Sequence, residues 1–281
     1  MKKKLIAIAV ATASVMSGVV NAADWQTAGT GGQIAIGGTI TVENIYDDLW
    51  QWKLGDAINL SNTSTEMTND NKTLTVTMAD RKPLLVGKSE AFKTATVGMG
   101  ASPSISFTDA DNNKVELVTP TTSSNGEAVL TLPIKGQDQS RIGSLTLNVQ
   151  ALGVYYSAAS SNPGYSAPRK MVAPNVGNIF YGGLPSKNSS SINSSTHLNQ
   201  IAQDGGWTIS EMKSKYDTYT NTSNSWAPMA GTSASSGNAF AAVYSYSMAI
   251  PAGQQLVADF TSPVTTTTQW SAPLNIAITY N

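Results

Sequence analysis

Alternation of apolar and polar residues runs through most of the chain and predicts β-strands. Near the beginning, Ile34, Ile36, Ile40 and Val42 recur in one row that also contains Gly38. A period of two places such a row on one face of a strand. The pattern returns at residues 74–78, 84–86, 104–108, 114–118, 128–132, 145–152, 239–250, 255–260 and 273–281. Short strands at this spacing predict an all-β sandwich.

Two turn signals support this interpretation. Asn125 and Gly126 precede the strand at 128–132, and Asn-Gly is a strong hairpin signal. Residues 109–113 (DADNN) resemble the start of a calcium loop, but the Gly and the closing Glu of that motif are missing at the required spacing. We therefore predict a hairpin turn there.

The strand rhythm stops from about residue 157 to residue 237, which we interpret as an insertion. This segment holds four prolines between 163 and 185 and the serine-rich tract 189–195. Thr208 and Glu211 have the spacing of a capping box, so we predict a short helix over 211–219. Loops this long within a compact domain are usually functional or disordered.

The N-terminus has the layout of a secretory signal peptide. Lys2, Lys3 and Lys4 precede an apolar run that ends near Val20, and small residues follow. The run is too short for a membrane span, and no later segment is long enough. We predict a signal peptide over residues 1–22, with cleavage after Ala22 or Ala23.

Composition narrows the class of protein. Three of the 17 basic residues lie in the signal segment, which leaves 14 against 18 acidic residues, a formal charge of −4. Nucleic acid is therefore not an expected partner. The chain has no cysteine, which removes disulfides and thiolate chemistry together. Charged residues make up 12% of the chain, about half the usual fraction.

No catalytic constellation is recognisable, so we predict that the protein is not an enzyme and uses no metal or cofactor. The single histidine, His197, lies in the serine-rich region without a metal-ligating residue at suitable spacing, and we interpret it as a surface loop residue. A serine hydrolase would need this histidine, yet the chain contains no Gly-x-Ser-x-Gly elbow.

The insertion contains the residue types of a sugar site. Aromatic rings cover the C–H face of a pyranose, and polar side chains bind its hydroxyls. Our candidate carbohydrate-binding residues are Tyr155, Tyr156, Tyr165, Arg169 and Lys170, with Asp204 and Trp207 as a second wall. The alternative is that each aromatic side chain packs the insertion onto the sandwich. Trp50, Trp52 and Trp270 lie in framework segments, and we interpret them as core or subunit interface.

Five segments resemble the adhesive fimbrial major subunits of enterotoxigenic enterobacteria. They are residues 33–41 (QIAIGGTIT), 50–55 (WQWKLG), 82–87 (KPLLVG), 179–184 (IFYGGL) and 267–280 (TTQWSAPLNIAITY). Within the insertion the match is good only at 179–184 and loose at the helix after Thr208. The resemblance therefore assigns no particular glycan.

The resemblance implies an incomplete immunoglobulin-like β-sandwich that is completed by donor-strand exchange. Residues 23–41 would be the N-terminal extension, with Ile34, Ile36, Gly38 and Ile40 as the donor strand, and residues 42–281 would form the domain. The C-terminal strand, with Leu274, Ile276, Ile278 and Tyr280 on one face, would border the vacancy and bind the chaperone.

The resemblance also implies a location and partners. A periplasmic chaperone and an outer-membrane usher would export the subunit to a fimbrium on the bacterial surface. There it would bind neighbouring copies of itself and host glycoprotein or glycolipid carbohydrate. The alternative is a structural pilus subunit without receptor-binding activity of its own.

Overall fold

The computed structural model describes residues 49–93, 101–121, 125–159, 162–187, 195–222, 225–226, 230–234 and 241–280. The predicted signal peptide and the predicted donor strand, including Ile34, Ile36, Gly38 and Ile40, lie outside these ranges. The side chains of Tyr165 and His197 are also outside the described set.

Strands dominate the described residues, and two α-helices and one 3-10 turn (Ser64–Glu66) accompany them. The strands are β1 (Trp50–Leu54), β2 (Met67–Thr68), β3 (Thr73–Thr77), β4 (Lys82–Ser89), β5 (Phe92–Lys93), β6 (Pro103–Thr108), β7 (Lys114–Val115), β8 (Glu127–Lys135), β9 (Arg141–Ala159), β10 (Asn162–Val172), β11 (Ser225–Trp226), β12 (Ala230–Ala234), β13 (Ala241–Ile250), β14 (Gln255–Phe260) and β15 (Asn275–Tyr280). The helices are α1 (Ser195–Gln203) and α2 (Ile209–Thr220).

These strands form one large and one small sheet. The large sheet has the order β1-β4-β13-β9-β14-β3-β2, with β8 and β10 also pairing with β9. The small sheet has the order β15-β6-β7. Pairing is antiparallel except where β10 meets β11 and β12. The predicted all-β, immunoglobulin-like class is confirmed.

The main core contains an aromatic cluster. Trp50 and Trp52 are buried, as predicted, and their rings lie 5.9 Å apart between centroids. Phe180 and Tyr246 complete this part of the cluster, with centroids 4.9 Å apart. Since aromatic side chains bury large apolar areas, this cluster contributes strongly to the hydrophobic stabilisation of the domain.

A second core lies beneath the helices. Alternate residues of β9, among them Leu152, Val154 and Tyr156, face this side of the sheet. Leu198 and Ile201 of α1 and Met212 and Tyr216 of α2 cover them. Because helices cover one face and the main core covers the other, β9 is buried on both faces in its second half.

The two turn signals and the capping box in the sequence coincide with two turns and with the start of a helix in the structure. Asn125 and Gly126 form a turn with φ values of 61° and 79°, but Val118 pairs with Val129 around it, so the turn belongs to a longer connection and not to a two-residue hairpin. Asp109 accepts hydrogen bonds from the backbone N–H groups of Asp111 and Asn113 at 2.8 and 2.9 Å, which closes the predicted turn. Thr208 and Glu211 form the predicted capping box at the start of α2.

Two expectations about the insertion were wrong. The strand pattern does not stop at residue 157, because β9 continues to Ala159 and β10 follows from Asn162 to Val172. His197 lies in α1 and not in a loop. Serine and asparagine are weak helix formers, so α1 carries little local signal and depends on the burial of Leu198 and Ile201 against the sheet.

Candidate functional site

Two strands, β1 and β15, form the outer ends of the two sheets. β15 pairs with β6 along its whole length, from Asn275 opposite Thr108 to Tyr280 opposite Pro103. β1 pairs with β4 on one edge. Among the described strands, neither has a partner on its second edge. Such edges present rows of backbone N–H and C=O groups to another strand.

A side-chain hydrogen bond brings these two strands together. The Nε1 of Trp52 on β1 donates to the hydroxyl oxygen of Tyr280 on β15 at 2.9 Å. Burial raises the pKa of Tyr280 to about 12, so the phenol stays protonated at neutral pH. Side chains of β1 and β15 therefore meet in the main core, and we call the region between the free edges of these two strands the strand groove.

The C-terminal row faces the main core. Leu274, Ile276 and Ile278 are each 1% exposed, whereas Ala277 and Thr279 on the opposite face of the strand are exposed. Tyr280 is partly buried. The apolar side chains thus stabilise the fold, and the backbone of β15 is the part that borders the strand groove. The predicted binding of a chaperone strand to this row stays a prediction.

Tyr155 and Tyr156 lie on opposite faces of β9 and are 4% and 0% exposed. Tyr155 stacks on Tyr244 in the main core, with centroids 5.7 Å apart. Tyr156 packs edge-on against Tyr216, and its hydroxyl group is 2.7 Å from the Oγ of Ser166. Neither ring presents a face to solvent, so both pack the insertion onto the sandwich, as the alternative interpretation expects.

Arg169 and Lys170 are also divided between the two faces of the sheet. Arg169 lies opposite Tyr155, which faces the main core, and Lys170 lies opposite Val154, which faces the second core beneath the helices. Directly opposed residues share a face of the sheet. Lys170 is therefore on the side of the helices and Arg169 is on the other side. For Tyr165 the structure gives the backbone position in β10, opposite Ser225 of β11.

Asp204, at the end of α1, is held in a buried ion pair. Its two carboxylate oxygens accept hydrogen bonds from the Nε of Arg81, both at 3.0 Å, and the hydroxyl of Ser247 donates to it at 2.5 Å. The Asp204 side chain is 3% exposed. Arg81 also donates to the Oε1 of Gln150 at 2.8 Å. Asp204 thus anchors the helices to the sheet.

The indole ring of Trp207 is partly exposed and lies beside charged groups. Its Nε1 donates to the carbonyl oxygen of Ser89 at 2.8 Å, which fixes the ring. The ammonium nitrogens of Lys88 and Lys215 lie 4.0 and 4.4 Å from the ring centroid, within cation–π range. Lys215 also pairs with Glu90 at 2.7 Å.

Sequence reasoning missed Lys88, Lys215 and Arg81. Burial lowers the pKa of Lys88 to about 8, because the charged form loses hydration. A lysine within the apolar strand at 84–89 was a readable signal, since buried strands seldom contain one. No sequence signal connects Arg81 with Asp204, which are 123 residues apart.

The structure therefore brings together only part of the predicted carbohydrate site. Trp207, Lys170 and the buried Tyr156 and Asp204 lie on the helix side, whereas Tyr155 and Arg169 lie on the opposite side. We call the surface around Trp207, Lys170 and α2 the insertion surface. Within the described ranges, no helix is long and apolar enough to cross a membrane, and no group of three or more His, Cys, Asp or Glu residues is placed to hold a metal ion.

Comparison with known proteins covers the whole chain. Residues 1–281 match a family model described as "Fimbrial, major and minor subunit". Similar proteins include K88 fimbrial protein AC and K88 fimbrial protein AD of Escherichia coli, both 35% identical over 100% of each chain. The F41 fimbrial protein of the same organism is 28% identical, again over 100% of both chains. The chain therefore belongs to the K88 family of fimbrial subunits, which are structural, non-enzymatic proteins of the bacterial surface.

Proposed function

We propose that this fimbrial subunit polymerises by donor-strand complementation and that its insertion surface binds host cell-surface glycoconjugates. In this proposal the extension at residues 23–41 of one copy enters the strand groove of the next copy. A periplasmic chaperone occupies the groove first, and an outer-membrane usher exchanges the chaperone for the neighbouring subunit.

The observation that carries the polymerisation proposal is the arrangement of β1 and β15. Each ends its sheet within the described part of the chain, and the hydrogen bond between Trp52 and Tyr280 connects their side chains. In this proposal an added strand binds the free backbone edges of both strands, as in other complexes formed by strand addition. The alternating sequence of residues 33–42 supports a donor strand of this kind.

The energy available from this exchange is large. A fully buried Ile contributes about 1.5 to 3 kcal/mol, so Ile34, Ile36 and Ile40 of the extension would together contribute about 4.5 to 9 kcal/mol. A whole domain has a free energy of unfolding of about 5 to 15 kcal/mol. Gly38, which has no side chain, suits a point where the groove is shallow. An extension of this sequence can therefore hold two subunits together without a covalent bond.

Deleting residues 23–41 tests the polymerisation proposal. We expect subunits that still bind the chaperone but form no fimbriae, measured by electron microscopy and by the yield of fimbriae sheared from cells. A control carries the deleted segment behind Asn281 on a short flexible linker, where it can fill the strand groove of its own subunit. This control should be a folded, soluble monomer. Normal fimbriae from the deletion variant would disprove donor-strand exchange.

The adhesion proposal rests on the insertion surface. Trp207 combines a partly exposed indole with nearby ammonium groups, and Lys170 lies on the same side of the sheet. An aromatic ring with polar neighbours is the usual composition of a sugar site. Because Tyr155 and Tyr156 are buried, the proposal depends on Trp207 and Lys170 rather than on these two tyrosines.

The self-complemented monomer permits a direct test of adhesion. We expect it to bind members of a panel of intestinal glycans, and we expect Trp207→Ala and Lys170→Ala to weaken that binding by at least about tenfold. Lys114→Ala, at an exposed lysine on β7, should leave it unchanged. Absence of binding at millimolar sugar would favour the alternative, a structural subunit without its own receptor-binding activity.

A further inference from the structure

Trp270 lies between two clefts at the end of the sandwich opposite the helices. One cleft has a volume of about 580 Å³ and the other about 330 Å³. Leu60, Thr268 and Trp270 line both. The strand β9 shows how far this region lies from Trp207. Leu145, near the start of β9, lines the smaller cleft together with Trp270. The backbone N–H of Trp207 donates to the Oγ of Ser245, which pairs with Val154 in the second half of β9. At about 3.3 Å per residue, the segment of β9 from Leu145 to Val154 is about 30 Å long, so the two tryptophans lie beside well-separated parts of this strand.

The indole of Trp270 is held firmly but is not fully covered. It packs edge-on against Phe260, with centroids 6.1 Å apart and an angle of 83° between the rings. The side chain is partly buried. Among the described residues, its Nε1–H has no hydrogen-bond partner. A ring that is positioned in advance loses little conformational entropy when a ligand binds to it.

The remaining lining residues are uncharged. None of the described residues that line either cleft is Asp, Glu, Lys, Arg or His. Exposed hydroxyl and amide side chains form the walls, among them Ser61, Asn62, Thr63, Thr266, Thr267 and Gln269. Leu74 and Phe260 form an apolar floor. This combination suits a ligand that has many hydroxyl groups, one apolar face and no charge.

We propose that the clefts on either side of Trp270 are a second carbohydrate-binding site, selective for neutral saccharides and independent of the insertion surface. One pyranose ring stacks on the indole, whose N–H donates to a sugar hydroxyl, and the threonine hydroxyls and amides bind the remaining hydroxyl groups. A sialylated or sulfated sugar binds less well because no cation lines the clefts to pair with it.

The composition of the clefts argues against the other obvious occupant, a neighbouring subunit. The energetically important centres of protein interfaces are poor in serine and threonine and rich in Tyr, Trp and Arg. Here a single tryptophan stands among hydroxyl groups, and the surface is concave on both sides of it. Cavity volumes of about 300 to 1,000 Å³ are typical of sites for small ligands.

The test uses purified fimbriae of the full chain and a panel of neutral oligosaccharides with their sialylated counterparts. Dissociation constants are measured by saturation-transfer NMR titration. We expect Trp270→Ala to raise the Kd for neutral sugars at least tenfold, while Trp207→Ala leaves this binding unchanged. Thr267→Val, which keeps the side-chain shape and removes the hydroxyl, should raise the Kd severalfold even if Trp270→Ala yields no fimbriae. Thr131→Val, at an exposed position on β8 away from both clefts and from the insertion surface, is its matched control.

Three outcomes would overturn the proposal. The first is that wild-type fimbriae bind no neutral saccharide, or bind it only through a site that Trp207→Ala removes. The second is that Thr267→Val fimbriae bind neutral sugars as tightly as the wild type. The third is that Thr267→Val and Trp270→Ala both reduce the yield of fimbriae while the remaining fibres bind sugar normally, which would identify the clefts as a contact between subunits. If Trp207→Ala abolished binding through the insertion surface but left the binding of neutral sugars unchanged, the second site would still be supported.

Discussion

At the scale of single residues, the ion pair between Arg81 and Asp204 fixes the position of the helices on the sheet. The side chains are 14% and 3% exposed, so both charges have lost most of their hydration. The ion pair and the hydrogen bonds from Ser247 to Asp204 and from Arg81 to Gln150 replace that hydration. Trp207, three residues after Asp204, then reaches Ser89 and Ser245 on the sheet. A buried pair of this kind fixes the position of the insertion surface on the sheet.

We predict that Asp204→Asn lowers the free energy of unfolding of the self-complemented monomer by about 3 to 5 kcal/mol, because it leaves a buried guanidinium without its counter-charge. The double variant Arg81→Met with Asp204→Leu should recover most of this loss, since both charges are then absent. Urea unfolding measures the difference. Lys114→Ala is the control: its ion pair with Glu116 is exposed, at 75% and 69%, so the change should be within about 1 kcal/mol. An equally small effect of Asp204→Asn would contradict the anchoring role.

At the scale of elements, β9 joins the sandwich to the insertion. Its first half pairs with β8 and β14, and its second half pairs with β10 and β13. The alternating first half is typical of a strand with one face in the core. The second half is apolar at nearly every position because the helices cover its other face. The strand β9 therefore connects the sandwich directly to the surface that we propose for adhesion.

The buried side chains of the C-terminal strand β15 can be tested by substitution. Replacing Ile276 and Ile278 with Asp should abolish fibre formation and chaperone capture together, because both side chains are 1% exposed in the main core and a buried carboxylate is strongly unfavourable. The subunit should then be degraded in the periplasm. Co-purification with the chaperone and the yield of sheared fimbriae measure these effects.

Position Thr279 provides the matched control on the same strand. Its side chain is exposed, so Thr279→Asp changes the charge of β15 without adding a carboxylate to the core. We expect near-normal chaperone capture and fibre yield from this variant. If the variants at Ile276 and Ile278 also assembled normally, their buried side chains would not be needed for the folding of the subunit, which would contradict the prediction.

At the scale of the whole molecule, the proposed function depends on many copies in one fibre. If every subunit presents an insertion surface, several weak sites can engage a cell surface together. Linked sites can raise apparent affinity by about 10² to 10⁴ without any new contact. We therefore predict that fimbriae bind a glycan-coated surface at least about 100-fold more tightly than the self-complemented monomer does.

Surface plasmon resonance at decreasing glycan density measures this difference. The advantage of the fibre should fall as the glycans become too sparse for two subunits to bind at once. Monomer and fibre binding with equal affinity at every density would show that only one subunit of the fibre binds, which is the behaviour of a separate tip adhesin.

The order of strands along the chain was predictable, because side-chain alternation depends only on neighbouring residues. Residues 255–260 became β14 as predicted, and the capping box at Thr208 and Glu211 began α2. By contrast, α1 and β10 went unrecognised. They lack a strong local pattern and are held by burial against β9, whose surface exists only after folding.

Local patterns along the chain predict the fold class, the strand segments and the two alternating rows at residues 34–42 and 274–280. Which of the candidate side chains are accessible depends instead on how the strands and helices pack together. Tyr155 and Tyr156 are adjacent in sequence, yet the pleat of β9 sends them into two different cores. Arg81 and Asp204 are 123 residues apart, yet they share hydrogen bonds. Local periodicity is encoded within a few residues, whereas burial and pairing depend on which strands meet, and that is set by the packing of the whole chain.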